Sequence, residues 1–211
     1  MNFKITSATT ILFILFTKIL TWVDVQPIGP RDSSVGLATI NKWVSDLIGV
    51  NMFLYQLTDW ASLLALLVAG GFGCLGVIQL FKRKSLKKVD FSILVLGGFY
   101  ILVIMAYVFF EFWIVNYRPV LIENVLEASY PSSTTMIVLT IMITAVMQFN
   151  RLIKKKSIRV LANSFSIIYT ILMVTGRLFS GVHWLTDIIG AILLSMVLIM
   201  IYCLVNKFWT K

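Results

Sequence analysis

The chain has 211 residues, of which 59% are hydrophobic and 13% are charged, and its mean hydropathy is +0.94. About a quarter of the residues of a typical soluble domain are charged, so the composition argues against a water-soluble domain and indicates an integral membrane protein. The net charge of +9 is of the kind found in nucleic-acid-binding proteins, but the positions of the basic residues favour a topology signal and exclude nucleic acid as the expected partner.

Apolar stretches long enough to cross the hydrocarbon core, which takes roughly 20 helical residues, recur along the chain. We predict six spans at 5–23, 60–81, 91–115, 132–149, 160–180 and 184–205. The first is interrupted by Lys18 and is not followed by a clear small-residue cleavage site, so an uncleaved helix is preferred over a signal peptide. No internal repeat divides the chain, and residues 1–211 are interpreted as a single membrane-embedded domain.

The longest connection between predicted spans covers residues 24–59 and contains an amphipathic helix. The apolar residues of this helix are Ile40, Trp43, Val44, Leu47 and Ile48, and the polar residues of its opposite face are Asn41, Lys42, Ser45 and Asp46. The helix is suited to lie in the membrane interface, either as a packing lid over the bundle or as a wall that guides a lipid headgroup. The predicted fold is therefore all-α, with about six transmembrane helices in one bundle and an outer interfacial helix.

Basic residues are concentrated in two of the predicted loops and at the chain ends. They are Lys82, Arg83, Lys84, Lys87 and Lys88 in the first loop, Arg151, Lys154, Lys155, Lys156 and Arg159 in the second, and Lys4, Lys207 and Lys211 near the ends. By the positive-inside rule, this pattern predicts a multi-pass protein with both termini in the cytoplasm. Most acidic residues fall at the other side, so the functional site is expected to face outward.

Three polar segments lie at predicted outer helix ends, at residues 111–119, 130–135 and 176–187. Arg118 and Arg177 are suited to grip phosphate oxygens through forked, charge-assisted hydrogen bonds. The first N–H groups of a helix that begins near Ser132 and Ser133 would also attract an anion. The structural alternatives are that Arg118 ends a helix and that one of the serines caps the next helix.

His183 is the only histidine in the chain and stands four residues before Asp187. This spacing places the two on one face of a helix, where the carboxylate would hold the imidazole in one tautomer. An oriented histidine beside a bound phosphate can attack phosphorus and form a phosphohistidine. Because ionisable groups at a membrane boundary are costly, a functional role is favoured over a structural one.

At these three segments the chain resembles the type-2 phosphatidic acid phosphatase superfamily, a group of membrane lipid-phosphate phosphatases. The family pattern is Lys-x(6)-Arg-Pro, then Pro-Ser-Gly-His, then Ser-Arg-x(5)-His-x(3)-Asp. The resemblance covers most of residues 50–205, and Gly176 replaces the leading serine of the third motif. The matching residues are Arg118 and Pro119 in the first motif, Pro131 and Ser132 in the second, and Arg177, His183 and Asp187 in the third.

The resemblance implies a role for each matching residue. His183 would be the nucleophile and Asp187 its orienting partner, while Arg118, Arg177 and the region 132–133 would bind the phosphate of a lipid within the bilayer. Enzymes of this family need no metal or other cofactor. The sequence agrees, since one histidine and scattered acids make no obvious metal cluster.

Two departures from the family pattern bear on the chemistry. Glu111 replaces the lysine of the first motif, and Thr134 replaces the histidine of the second, which acts as general acid in relatives. Loss of a general acid costs roughly 10²- to 10⁴-fold in rate. A lipid diphosphate such as a prenyl or undecaprenyl diphosphate would tolerate this loss better than a monoester, because the leaving phosphate needs little protonation.

Glu111 itself has two further interpretations. Burial at the membrane edge would keep it protonated and make it a replacement acid, a role for which Glu127 is a weaker candidate. Alternatively, Glu111 pairs with Arg118 or Arg177. The substitutions also leave open a lipid phosphotransferase that uses the same phosphohistidine, and a non-catalytic lipid-phosphate binding protein or transporter. The oligomeric state is not indicated by the sequence.

Overall fold

The computed structural model describes residues 3–209, so Lys211, one of the basic residues used for the topology, lies outside the described residues. Within this range the chain forms seven α-helices and no β-strand, and six of the helices are long and apolar enough to span a membrane. The number of spans and the all-helical fold predicted from sequence are therefore confirmed. The helices are α1 Phe3–Trp22, α2 Ala38–Ile48, α3 Met52–Arg83, α4 Phe91–Phe112, α5 Ser133–Leu152, α6 Lys156–Phe179 and α7 Leu185–Trp209.

The short helix α2 is the amphipathic helix predicted between the first two spans. Its apolar residues Ile40, Trp43 and Leu47 are exposed, as expected for a face that meets lipid. The prediction that Asn41 belongs to the outward polar face is wrong, because this side chain is fully buried. Its amide donates to the Thr186 hydroxyl over 2.9 Å and accepts from the Thr186 N–H over 3.2 Å, so α2 is fastened to the start of α7.

Helix α3 begins at Met52, well before the predicted position 60. The side chain of Asn51 caps this helix by accepting the N–H of Leu54 over 2.9 Å, which satisfies one of the free donors of the first turn. The outer connection therefore ends at Asn51 rather than at residue 59. Tyr55 and Asp59 consequently lie on the first two turns of α3, one helical turn apart.

Residues 116–129 between α4 and α5 form an irregular hairpin, hereafter the site hairpin. Antiparallel bridges join Tyr117 to Ala128 and Ile122 to Val125. Glu123 and Asn124 at the turn have φ values of 49° and 62°, and two successive left-handed residues are what the tightest hairpin turns require. The two sides of the hairpin thereby face each other in a fixed register.

Tyr130, which follows the site hairpin, anchors it to the bundle. Its ring is buried, and its hydroxyl lies 2.7 Å from the hydroxyl of Thr17 on α1. The other side of the ring packs on Gly190 of α7 so closely that a Cβ there would overlap it. The Tyr130 ring therefore holds the hairpin between α1 and α7, and residue 190 must be glycine to leave room for the ring.

The two ends of the bundle differ in the residues they carry. Helix α4 has 22 residues, which corresponds to about 33 Å, and it leads from the loop at residues 84–90 to the site hairpin. At the first of these ends, Arg83 pairs with Asp90 over 2.6 Å, and Arg151 donates to Asn206 over 3.1 Å. We call this the basic end, and we call the end that carries the site hairpin the site end.

Candidate active site

The three polar segments predicted from sequence meet at the site end. A guanidinium nitrogen of Arg118, Nη1, lies 3.1 Å from Nε2 of His183. The backbone N–H of Ser132 donates to the carbonyl of Asp187 over 3.1 Å, which joins the second segment to the third. Residues that are up to 69 positions apart in sequence, as 118 is from 187, thus form one buried cluster.

His183 lies in the turn between α6 and α7 and is only 5% exposed. Its Nδ1 lies 2.9 Å from the hydroxyl oxygen of Ser129, and that hydroxyl donates to Oδ2 of Asp187. Asp187 lies beside His183 as predicted, but Oδ2 is 3.7 Å from Nδ1, within ion-pair range and beyond direct hydrogen-bonding distance. The reason is that His183 precedes α7, which begins at Leu185, so the two residues do not share a helical face.

Asp187 is fully buried and is surrounded by donors. Besides Ser129, its carboxylate accepts the backbone N–H of Trp184 over 2.9 Å and the side-chain amide of Asn116 over 3.3 Å. A buried carboxylate is tolerated only when its oxygens are satisfied in this way. Asp187 therefore fixes the position of Ser129 and of the turn that carries His183.

Burial, followed by the positive charges of Arg118 and Arg177, holds the pKa of His183 well below its usual range. The imidazole is consequently neutral at physiological pH, and one of its ring nitrogens carries a free electron pair. Because the guanidinium of Arg118 has only donors, Nε2 is the acceptor of the contact with Arg118. A neutral histidine whose electron pair is on Nε2 is the form that acts as a nucleophile once that pair is released from Arg118.

Arg118 is held by the opposite side of the site hairpin. Its Nε forms an ion pair with Oε2 of Glu127 over 2.9 Å, and its backbone N–H donates to the Glu127 carbonyl over 3.1 Å. Glu127, the weaker candidate acid from sequence, is thus the carboxylate partner of this arginine. The proposed pairing of Glu111 with Arg118 or Arg177 is wrong.

Arg177 is fixed by α3. It donates to the Tyr55 carbonyl over 3.2 Å and to the Thr58 hydroxyl over 3.1 Å, and it pairs with Asp59 over 3.3 Å. The Tyr55 ring lies 4.6 Å from the guanidinium of Arg177 and 5.9 Å from that of Arg118, within range of a cation–π interaction with each. Tyr55 therefore connects the two arginines that sequence analysis selected for phosphate binding.

The contacts of Tyr55 and Asp59 were missed because the sequence prediction began the second span after them. Their position on the same helical face, one turn apart, and the presence of an acid at the edge of an apolar span were the available signals. Ser129 and Asn116 gave no comparable signal. Their roles depend on the register of the site hairpin, in which the Ser129 N–H donates to the Asn116 carbonyl over 2.9 Å.

Glu111 lies in the last turn of α4 and is exposed, so the membrane-edge burial expected for its carboxyl is wrong. With Ser129, Ser133 and His183 it lines a narrow cleft that leaves about 10 Å³ of free space. That volume holds about one water molecule. Entry of a phosphate group through this cleft therefore requires the side chains that line it to move.

The start of α5 agrees with its expected role only in part. Ser133 lines the cleft, whereas Ser132 is fully buried and donates to the Thr135 hydroxyl over 3.0 Å. Ser132 makes no side-chain capping bond, so the alternative of a simple helix cap is also wrong for this residue. Thr134 is buried in the first turn and is absent from the cleft lining.

Comparison with known proteins identifies the family. A model of the PAP2 superfamily matches residues 68–211, about two thirds of the chain, and the match includes Arg118, His183 and Asp187. The chain belongs to the PAP2 superfamily. A search of curated protein sequences finds no match.

Among solved structures, the chain is similar to the crystal structure described as the first transmembrane PAP2-type phosphatidylglycerolphosphate phosphatase from Bacillus subtilis. The TM-score is 0.62, the sequence identity is 16%, and the alignment covers 96% of each chain. This likeness confirms the membrane PAP2 fold over the aligned part of the chain. Membership of the PAP2 superfamily supports the expected enzyme class, a phosphoric ester or diphosphate hydrolase, with lipid-phosphate hydrolysis as its general activity.

Proposed function

We propose that this PAP2 protein hydrolyses a lipid diphosphate at the outer membrane face, without a metal, through a phosphohistidine on His183. The observation that carries the proposal is the neutral, buried imidazole of His183, whose Nε2 lies 3.1 Å from Arg118. A nucleophile beside a fixed guanidinium suits attack on an anion, because the guanidinium stabilises the charge that develops on the phosphoryl oxygens.

Phosphate binding is assigned to Arg118 and Arg177, with Ser133 and the first N–H groups of α5 as further donors. Each arginine is paired with a carboxylate in the absence of substrate, Arg118 with Glu127 and Arg177 with Asp59. These carboxylates hold the guanidinium groups in place before a phosphate arrives. Ser132 would act indirectly, through its backbone bond to Asp187.

As the Arg118 N–H turns from Nε2 of His183 to a phosphoryl oxygen, the first chemical step would form a bond between Nε2 and the terminal phosphorus. It would break the bond from that phosphorus to the bridging oxygen. The electron pair of the broken bond leaves with the lipid monophosphate. In the second step a water molecule attacks the phosphorus, the N–P bond breaks, and its electron pair returns to Nε2. The products are inorganic phosphate, the lipid monophosphate and one proton released to solvent.

The leaving group is the reason for favouring a diphosphate, including prenyl and undecaprenyl diphosphates. Thr134 cannot supply the proton that an alkoxide leaving group needs, whereas a departing phosphate needs little protonation. Glu111 lines the same cleft as His183 and is the candidate for a modulator of the reaction there.

The membrane orientation is part of the same proposal. The basic loops lie at the opposite end of the bundle from His183, which supports a cell-membrane protein with both termini in the cytoplasm and the site facing outward. In this orientation the exposed apolar face of α2 lies at the outer interface. A lipid headgroup in the outer leaflet is then at the depth of the cleft.

The test is phosphate release by the purified protein from a panel of lipid monophosphates and diphosphates. We expect release from at least one diphosphate, slower release from the matching monophosphate, and loss of both in His183→Ala. Arg83→Ala, at the basic end, is the matched control and should retain activity. Equal release by wild type and His183→Ala across the panel would reject hydrolysis.

The same panel separates the two other candidate functions. Lipid binding that depends on Arg118 without phosphate release would indicate a binding protein or transporter. Transfer of the phosphoryl group to an added lipid acceptor, in place of release to water, would indicate a phosphotransferase.

A further inference from the structure

Ser129 occupies the position between the imidazole and the buried carboxylate. Its hydroxyl oxygen lies 2.9 Å from Nδ1 of His183, and the hydroxyl donates to Oδ2 of Asp187. Ser129 is 2% exposed, so water does not compete for these bonds. Neither the family motifs nor the sequence pattern assigns a role to this residue.

The protons of this network can be assigned by counting donors. A serine hydroxyl has one hydrogen, and that of Ser129 is directed to Asp187. The contact between Ser129 and His183 therefore requires a hydrogen on Nδ1. The contact of Nε2 with Arg118 requires that Nε2 carry no hydrogen. A guanidinium has only hydrogen-bond donors, so Nε2 must be the acceptor. Both ends of the ring specify one neutral tautomer, with the hydrogen on Nδ1 and the electron pair on Nε2.

We propose that Ser129 is a positioning residue that selects the reactive tautomer of His183. Because its hydroxyl donates to Asp187, its oxygen is left to accept the hydrogen on Nδ1. The inference rests on the proposed function for its catalytic consequence, but the tautomer itself is a property of the substrate-free protein. Asp187 then orients the histidine through Ser129 rather than by a direct hydrogen bond, because its Oδ2 lies 3.7 Å from Nδ1.

The site hairpin explains how both ring nitrogens are controlled together. Arg118 and Ser129 stand on its two opposite sides, and each contacts a different nitrogen of His183. The backbone bond from Ser129 to the Asn116 carbonyl fixes the register, and the Asn116 side chain donates to the second oxygen of Asp187 over 3.3 Å. A shift of the hairpin would therefore disturb both contacts of the imidazole at once.

The direct test is nitrogen NMR of the protein labelled with isotopic histidine and purified without a histidine tag. Since His183 is the only histidine in the chain, the spectrum reports one imidazole. We expect a wild-type signal of the tautomer protonated at Nδ1, its persistence in Ser129→Thr, and a weaker preference in Ser129→Ala, in which Arg118 alone still acts on the ring. Ser195→Ala, which removes a buried hydroxyl on α7, is the matched control, and its tautomer signal should be that of the wild type.

An unchanged tautomer preference in folded Ser129→Ala would overturn the inference, as would a wild-type ring protonated at Nε2. Folding is checked by size-exclusion chromatography in detergent. Should Ser129→Ala not fold, Ser129→Cys supplies the same test, because a thiol is a poor substitute for the hydroxyl in both bonds. The preference should then be weakened, and full retention in the cysteine variant would count against the role of Ser129.

Kinetics provide a second reading on a substrate found in the panel. Hydrogen-bond partners that orient a metal-binding histidine are commonly worth about 10- to 100-fold in activity, and we expect kcat of Ser129→Ala to fall by that order with little change in KM. Ser129→Thr should recover most of the loss. If the wild type releases no phosphate from any lipid, the proposed function fails, and the NMR result alone decides the role of Ser129.

Discussion

The site end and the basic end use the same pair of residue types for different purposes. At the site end, Arg118 pairs with Glu127, and the arginine side chain is 9% exposed. At the basic end, Arg83 pairs with Asp90, and the two side chains are 42% and 40% exposed. Exposed pairs typically contribute at most about 1 kcal/mol, whereas a buried guanidinium is held in one place by its partners. Burial, rather than charge, is what makes an arginine of this protein a candidate for binding.

Packing differs between the ends in the same sense. At the site end the Tyr130 ring leaves no room for a Cβ on Gly190. Toward the basic end, α3 and α4 are separated by an open groove of about 380 Å³, lined in part by Gly73, Gly97 and Gly98. A tight end fixes the geometry of a reactive cluster, and a loose end tolerates change. The predictions below use matched substitutions at the two ends to test this contrast.

The largest contrast is expected between two aspartates. Asp187→Asn places an NH₂ group either at Oδ2, which accepts from Ser129 and Trp184, or at Oδ1, which accepts from Asn116, and either placement disrupts the network around His183. Loss of the group that orients a catalytic histidine costs up to about 10⁴-fold in rate, so lipid phosphate release should fall by about 10³- to 10⁴-fold. Asp90→Asn at the basic end should change release by less than about twofold. Comparable losses in both variants would contradict the contrast.

The second contrast concerns the arginines. Arg118→Lys keeps the charge but loses the fork that spans Glu127 and His183, and removal of one stabilising donor typically costs about 10²- to 10³-fold. The steady-state rate should fall by that order. Arg83→Lys should keep its rate. Full activity of Arg118→Lys would show that charge alone suffices at the site end.

A third prediction sharpens the account of the leaving group. Thr134→His restores the residue type of the family's second motif in the first turn of α5. Monoester hydrolysis should rise by about tenfold, less than the full contribution of a general acid, because position 134 is buried and does not line the cleft of His183. Diphosphate hydrolysis should rise less. Rates measured on a lipid monophosphate and its diphosphate check this, and an equal rise in both would refute the leaving-group argument.

The fourth contrast is one of stability. Gly190→Ala pushes a methyl group into the Tyr130 ring and should destabilise the protein by about 1–3 kcal/mol, as overpacking does. Gly97→Ala places its methyl group where no atom lies within 4 Å, and it should be neutral or slightly stabilising. Thermal unfolding in detergent measures both. A neutral Gly190→Ala would show that the site end is not tightly packed.

The smallest effect is expected from pH. The pKa of His183 is lowered in the folded protein. As the pH falls, the imidazole of the unfolded chain is therefore protonated near pH 6.5, whereas that of the folded protein is protonated only at a lower pH. This contribution to stability is thus fully present above pH 6.5 and declines below it, by about 1.4 kcal/mol per pH unit. His183→Gln lacks the titrating group, so its Tm should fall less than that of wild type between pH 6.5 and pH 5.5. Parallel decreases in both proteins would contradict a neutral, buried His183.

Sequence analysis predicted the fold well because apolar length and basic loops are local properties of the chain. It also selected Arg118, Arg177 and His183, since their spacing matches a family pattern. Sequence analysis predicted the contacts among these residues less well than it predicted the residues themselves. Ser129 intervenes between His183 and Asp187 because His183 stands in a turn, and the register of the site hairpin is not encoded in any motif.

The errors at Glu111 and α3 have a common origin. Both concern the boundary where a helix leaves the apolar region, and composition defines that boundary poorly. Helix α3 extends outward to Met52 because Asn51 caps it, and this extension is what brings Asp59 to Arg177. Glu111 remains exposed on the last turn of α4, where its carboxyl has access to solvent.

The most direct test of the phosphohistidine is to trap it. Detergent-purified protein is mixed with a lipid diphosphate labelled at its terminal phosphate, quenched in alkali and digested for mass spectrometry. We predict a phosphoryl group on His183 in the wild type and none in His183→Gln. Turnover of the lipid by wild type with no phosphoryl group on His183, or with the label on another residue, would contradict the proposed mechanism.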